Sequence, residues 1–187
     1  MRFSFCIPFI ILLLSLNLVI FDQAFYQREM PQYAEYESEV TNLLQYFKGH
    51  ELTTENFSER ESIHLQDVRN LIWLSLLVGA LLAIPVFYSL RTDAAAVIQK
   101  QFLKGGLYGI ALTALLALTL LFFSQAFTAF HQILFTNDYW LLPADSTLIQ
   151  MFPQEFFIAA TKQILLYSFV FSILSIVVGA ERPRRKP

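Results

Sequence analysis

Apolar residues along this chain fall into four long runs, at 3–21, 71–90, 105–130 and 158–180, separated by stretches in which charged and amide side chains return. A helix rises about 1.5 Å per residue, so each run is long enough to cross a hydrocarbon layer about 30 Å thick. Pro85, toward the far end of the second run, predicts a kink there. A cleaved leader would need small residues at two positions before the cut. Asp22-Gln23-Ala24 supplies one of them, so the first run reads as a retained helix.

The polar stretch 27–70 is more than a linker. Tyr33, Tyr36, Val40, Leu43, Leu44, Phe47 and Leu52 recur at helical spacing among many acids, which predicts a small folded cap. Thr54 and Phe57 lead into Ser58-Glu59-Arg60-Glu61, which has the form of a capping box. The helix it starts is expected to run straight into the second apolar run. Residues 91–104 read as a short basic connector, with Arg91, Lys100 and Lys104 against Asp93. Pro153 suits the first position of the last helix. The expected fold is all-α: a single polytopic membrane domain with four transmembrane helices and a small helical extracellular cap over 27–70. An extracellular re-entrant or interfacial segment, 131–157, joins the third and fourth helices.

Composition agrees. The chain is 56% hydrophobic and 15% charged, where soluble domains carry roughly 45–50% and about 25%. Of its thirteen Lys and Arg residues, eight lie at Arg2, in the 91–104 connector and in the tail at Arg182, Arg184, Arg185 and Lys186. The positive-inside rule therefore predicts a plasma-membrane protein with both termini cytoplasmic and the cap and the 131–157 segment outside. The single cysteine, Cys6, excludes an internal disulfide or a thiolate metal cluster. Phosphate-binding glycine loops, HExxH and GxSxG are absent, so no cofactor and no nucleic acid is expected.

Candidate chemistry concentrates at two places on the expected outer face. His131, Asn137, Asp138, Trp140 and Asp145 stand among blocks of Leu and Phe, where polar groups are costly unless partnered or functional. Just before the second run, Glu61, His64 and Asp67 are spaced to share one helix side, with Arg69 beside them. A carboxylate one turn away is expected to orient the His64 imidazole. Each feature has a plainer reading: an interfacial histidine, a solvated acidic face, an aromatic belt, an Asn-Asp turn. All of these would have to hold at once on segments that topology brings to one plane. Two histidines and a carboxylate also suit zinc, but no HxH or HxxxH pair anchors a site, and no metal is expected. His50 sits in the cap without such neighbours.

The run Phe130-His131-xx-Leu134-Phe135-x-Asn137-Asp138-x-Trp140, with Pro143, Asp145, Leu148-Ile149 and Phe152-Pro153-x-x-Phe156-Phe157, resembles the lipoprotein intramolecular transacylases of low-GC Gram-positive bacteria. So does His64-Leu65-x-Asp67-Val68. The resemblance implies an acyltransferase that moves the sn-2 acyl chain of a diacylglyceryl-modified N-terminal cysteine onto that cysteine's own α-amino group, giving a lyso-form lipoprotein. It places the active site at His64 and His131. Asn137, Asp138, Trp140, Asp67, Arg69 and Glu61 become candidates for binding substrate or an oxyanion. Its partners would be a lipoprotein N-terminus and membrane phospholipid. Such a transfer needs a base, an acid for the departing oxygen and an oxyanion donor, roles that His64, His131 and Asn137 are able to fill. Which histidine is the base stays open. A lipid or lipoprotein hydrolase and a non-enzymatic membrane subunit are the alternatives.

Overall fold

Ser58 starts the longest helix of the molecule, and that helix carries one half of the candidate chemistry. In the computed structural model, which describes residues 3–53 and 55–181, every regular element among the described residues is helical. In chain order these are α1 (Cys6–Ile20), α2 (Gln23–Glu29), α3 (Glu37–Phe47), α4 (Glu59–Thr92), α5 (Ala95–Ala117), a 3₁₀ turn (Leu118–Phe122), α6 (Phe123–Leu134), α7 (Thr147–Met151) and α8 (Gln154–Ala180). Thr54, Arg2 and the basic residues of the tail lie outside the described residues.

Three stretches, Glu59–Thr92, Ala95–Leu134 and Gln154–Ala180, are long and apolar enough to cross a membrane. A fourth is added if α1 and α2, bent by 67° at their break, count as one span. The protein is an all-α, multi-pass membrane protein. As expected, α4 runs unbroken from the polar stretch into the apolar one. It also continues through Pro85. The 91–104 connector shrinks to Asp93 and Ala94, because helix-favouring alanines let α5 begin at Ala95. Ser89, Asp93 and Gln101 close that turn through hydrogen bonds of 2.5, 2.8 and 3.2 Å. The third apolar run is interrupted by the 3₁₀ turn, which hydrophobicity alone does not reveal. Pro153 stands just before α8, its carbonyl accepting the Phe156 N–H, rather than inside the first turn.

The described residues divide into two compact units. The first holds residues up to Leu18, Ser75–Leu118 and from Lys162 onward. Small residues make its seam, as they do where helices must approach closely without a hydrophobic drive between them. A methyl group added at Gly106 would stand 2.6 Å from the Ser172 carbonyl oxygen, and one at Gly179 would stand 2.7 Å from the Gln99 carbonyl oxygen. Buried serine hydroxyls here return to the backbone, Ser15 to Ile11 and Ser172 to Ser168, at 2.8 and 2.7 Å. Cys6 is buried in this unit.

The second unit holds Val19–Leu74 and Thr119–Thr161. The predicted stripe Val40, Leu43, Leu44 and Phe47 is buried along α3. Gly49 ends that helix at φ 109°, a left-handed backbone that glycine adopts without strain. Asn42 and Glu39 then hold the following loop through Thr53 and Asn56. Phe25 and Tyr26 of α2 pack edge-on and tilted against Phe152 and Phe156, giving this unit an aromatic floor.

Candidate active site

The capping box expected at 58–61 is present. The Ser58 N–H and hydroxyl donate to Glu61 Oε2 at 2.8 and 2.7 Å, and the Glu61 N–H returns to the Ser58 oxygen at 3.3 Å. The second Glu61 oxygen, Oε1, accepts the Leu148 N–H at 2.8 Å, and the side chain is only 2% exposed. Two turns further along α4, Asp67 Oδ2 accepts from Asn137 Nδ2 at 2.9 Å. Between them, His64 faces His131 with ring centroids 6.1 Å apart. The three-residue spacing read from the sequence therefore becomes one helix face turned toward the stretch 131–148.

His131 lies in the last turn of α6 and is 8% exposed. Its Nδ1 is 2.7 Å from the Phe127 carbonyl oxygen one turn earlier. A carbonyl only accepts, so Nδ1 carries the proton and Nε2 keeps its lone pair. The rings of Phe127, Trp140, Phe135 and Phe130 surround it at 4.3, 5.1, 5.4 and 5.5 Å. Phe135 is also 5.1 Å from His64, so the two imidazoles and this phenyl form a triangle of rings. His64 Nδ1 is buried and has no hydrogen-bond partner in the protein.

The turn carrying Trp140 is fixed from inside and from α4. Asn137 Oδ1 accepts the Tyr139 N–H at 3.0 Å, an Asx turn, and the Asp138 carbonyl accepts the Leu141 N–H at 3.1 Å. The Arg60 guanidinium donates to the same carbonyl and lies 5.6 Å from the Tyr139 ring. Asp138 thus contributes its backbone here.

Several expectations need correction. Neither Glu61 nor Asp67 is hydrogen-bonded to the His64 imidazole: the partners of Glu61 are Ser58 and Leu148, and that of Asp67 Oδ2 is Asn137. The imidazole held by a partner is His131, and the partner is a carbonyl. Arg69 turns to the cap, its guanidinium 4.2 Å from the Tyr46 ring and 5.6 Å from that of Trp73. Asp145 offers its backbone carbonyl to Gln150 at 3.4 Å. His50 is at the end of α3, its N–H bound to the Gln45 carbonyl. Among the described residues, no group of three or more His, Cys, Asp or Glu is arranged to hold a metal ion. Sequence reasoning passed over the Phe127 carbonyl and Arg60. The first has no side-chain signature, and the second reaches the Asp138 carbonyl 78 residues away.

Fold and site together define a multi-pass helical membrane protein in which an apolar ring cage holds two facing imidazoles. The sequence model of the family described as "Lipoprotein intramolecular transacylase Lit" matches residues 1–157. The chain belongs to that family of acyltransferases. Its fold is similar to the membrane-integral lipoprotein intramolecular transacylase Lit from Bacillus cereus, with TM-score 0.75 and 26% identity over 93% of this chain and 89% of that one. A variant of the same protein with a histidine-to-arginine mutation matches at TM-score 0.75 and 26% identity, over 94% of this chain and 86% of that one. An uncharacterised protein of Aquifex aeolicus is 27% identical over 123 residues. That alignment spans 66% of this chain and 56% of the relative's length.

Proposed function

We propose that the protein transfers the sn-2 acyl chain of a diacylglyceryl-modified lipoprotein onto the α-amino group of the same N-terminal cysteine, with His131 as general base and His64 as general acid. The observation that carries this reading is the 6.1 Å separation of the two imidazoles, with His131 fixed as the Nδ1–H tautomer. In an ester-to-amide transfer, the amine nitrogen and the leaving oxygen end up on one tetrahedral carbon, roughly 2.5 Å apart. Adding a hydrogen bond of about 2.8 Å at each side requires base and acid to be close neighbours. The imidazole pair meets that requirement.

The α-ammonium, with a pKa of about 8, first releases one proton to solvent, and His131 Nε2 then takes the second proton that the nitrogen loses as it attacks the ester carbonyl. The Phe127 carbonyl and the faces of the surrounding rings stabilise the imidazolium that forms. His64, whose Nδ1 lacks a partner within the protein, receives that proton from His131 and hands one to the departing glycerol oxygen, so both imidazoles end as they began. The new C–N bond replaces the broken C–O bond, and the products are an N-acyl cysteine and a free sn-2 hydroxyl. The path from amine nitrogen through Cα, Cβ, sulfur and two glycerol carbons closes a ring of about eight atoms. Tethering therefore supplies the high effective concentration that a covalent acyl-enzyme would otherwise provide. Asn137, held by Asp67, supplies the amide that serves the oxyanion.

Mass spectrometry of a lipoprotein's N-terminal peptide, from cells expressing the protein, tests this reading. N-acylated lyso-form is expected. Loss of an acyl chain without N-acylation would make the protein a hydrolase, and an unchanged diacyl form would remove the activity altogether. The excess of Lys and Arg at 91–104 and in the tail supports an orientation with both termini in the cytoplasm and the site at the outer leaflet. A reporter inserted near Gly49 is expected to read external, and an external reading after Pro187 would overturn that orientation. Cys6 is buried within α1 and no acyl-enzyme is needed, so Cys6→Ala is expected to retain full conversion. Loss of conversion in well-expressed Cys6→Ala protein would require a thioester.

A further inference from the structure

Glu61 is the one carboxylate among the described residues that is almost wholly buried, at 2% exposure, and no cation pairs with it. Burying a carboxylate costs several kcal/mol unless donors replace its hydration. Three do: the Ser58 N–H, the Ser58 hydroxyl and the Leu148 N–H. The first two amount to a helix cap, which an exposed glutamate provides equally well. The third is different. Leu148 lies 87 residues along the chain, in the first turn of α7, and its N–H is buried.

The stretch between α6 and α7 holds Asn137 and Trp140, and it has no regular structure of its own from Phe135 to Ser146. At its near end, Asn137 is tied to Asp67 and the Asp138 carbonyl to Arg60. At its far end, the tie is Leu148 to Glu61. His64 lies on α4 between these anchors. We infer that Glu61 is a positioning residue of the active site. Through the Leu148 N–H, its reach fixes the far end of the 135–148 stretch, and so keeps the Trp140 ring packed against His131 in register with His64. This rests on the assignment of His131 as base, but it concerns the reach of the side chain rather than its charge.

Reach and charge are separable. Glu61→Asp keeps the charge and a good first-turn acid but is shorter by one methylene, so it cannot hold both Ser58 and Leu148 within hydrogen-bond distance. Glu61→Gln keeps the reach and, with its one accepting oxygen on the Leu148 N–H, keeps that tie, while it gives up the Ser58 N–H bond and the charge. Ser58→Ala weakens only the cap. With purified protein in detergent and a synthetic diacylated lipopeptide, Glu61→Asp is expected to lower kcat by on the order of 10²-fold with KM little changed. Glu61→Gln and Ser58→Ala are expected to stay near wild type in kcat, although Ser58→Ala melts earlier. A second readout needs no turnover: modification of His131 by diethyl pyrocarbonate, followed by mass spectrometry. Loss of the Trp140 cover is expected to speed it in Glu61→Asp and leave it slow in Glu61→Gln and Ser58→Ala. Faster modification in Glu61→Gln than in Glu61→Asp would overturn the inference. So would equal rates in the two, whether raised or unchanged. If the wild-type protein turns over no lipopeptide, the proposed function fails while the modification rates still decide the role of Glu61.

Discussion

Replacing His131 by alanine is expected to abolish lyso-form production while leaving the protein folded and in the membrane, and His64→Ala is expected to do the same. His131 is the imidazole with a fixed tautomer, a free Nε2 and four aromatic neighbours. His64 is its only imidazole neighbour, 6.1 Å away. Acid–base catalysis by a placed side chain is typically worth about 10²–10⁴-fold, so a slow cellular assay will register near-complete loss. The two groups act on one tetrahedral carbon, and the double variant is therefore expected to be scarcely worse than either single one. His50→Ala is expected to be silent, because its recorded bond is a backbone one at the end of α3. Retained conversion in His131→Ala, checked by the same N-terminal mass spectrometry, would remove the imidazole pair from the reaction.

Gly179→Leu and Gly106→Leu are expected to lower the yield and melting temperature of the detergent-solubilised protein sharply, with no direct effect on the histidines. Two effects oppose each other. Leucine is a better helix former than glycine by about 1 kcal/mol. Against this, any Cβ at Gly179 would sit among the backbone atoms of Leu103 and Gln99, and one at Gly106 against the Ser172 carbonyl oxygen and the Ile176 nitrogen. Backbone of a neighbouring helix cannot swing aside as a side chain does. Overpacking of this kind costs typically about 1–3 kcal/mol, more where nothing gives, so the steric term wins. At Gly105 the nearest atom is the Ile7 Cβ, 2.6 Å away and fixed to its own backbone, so a side chain is resisted there too. Thermal melts of the two variants against the unsubstituted protein check the argument. A melting temperature unchanged in Gly179→Leu would refute it.

Much of the candidate site was legible because helices convert spacing into direction. Glu61, His64 and Asp67 lie three apart, and the structure turns all three toward 131–148. The Ser58–Glu61 capping box was readable for the same reason, since it depends on residues within one turn. The partners of those side chains were not readable. Glu61 was a candidate for binding substrate or orienting His64, yet its oxygens go to Ser58 and Leu148. Arg69, one residue off the shared face, turns to Tyr46 and Trp73 instead.

By itself the sequence determined the membrane class, the helical elements and the two histidine motifs, because apolar run length, helical period and local capping are properties of neighbouring residues. The tertiary structure alone decided that the imidazoles meet, that Phe127 sets the tautomer of His131, and that α4 holds the 135–148 stretch through Arg60, Glu61 and Asp67. Those contacts join residues 67 to 87 positions apart or depend on a carbonyl that has no side-chain signature. Such pairings follow only from where packing brings the helices.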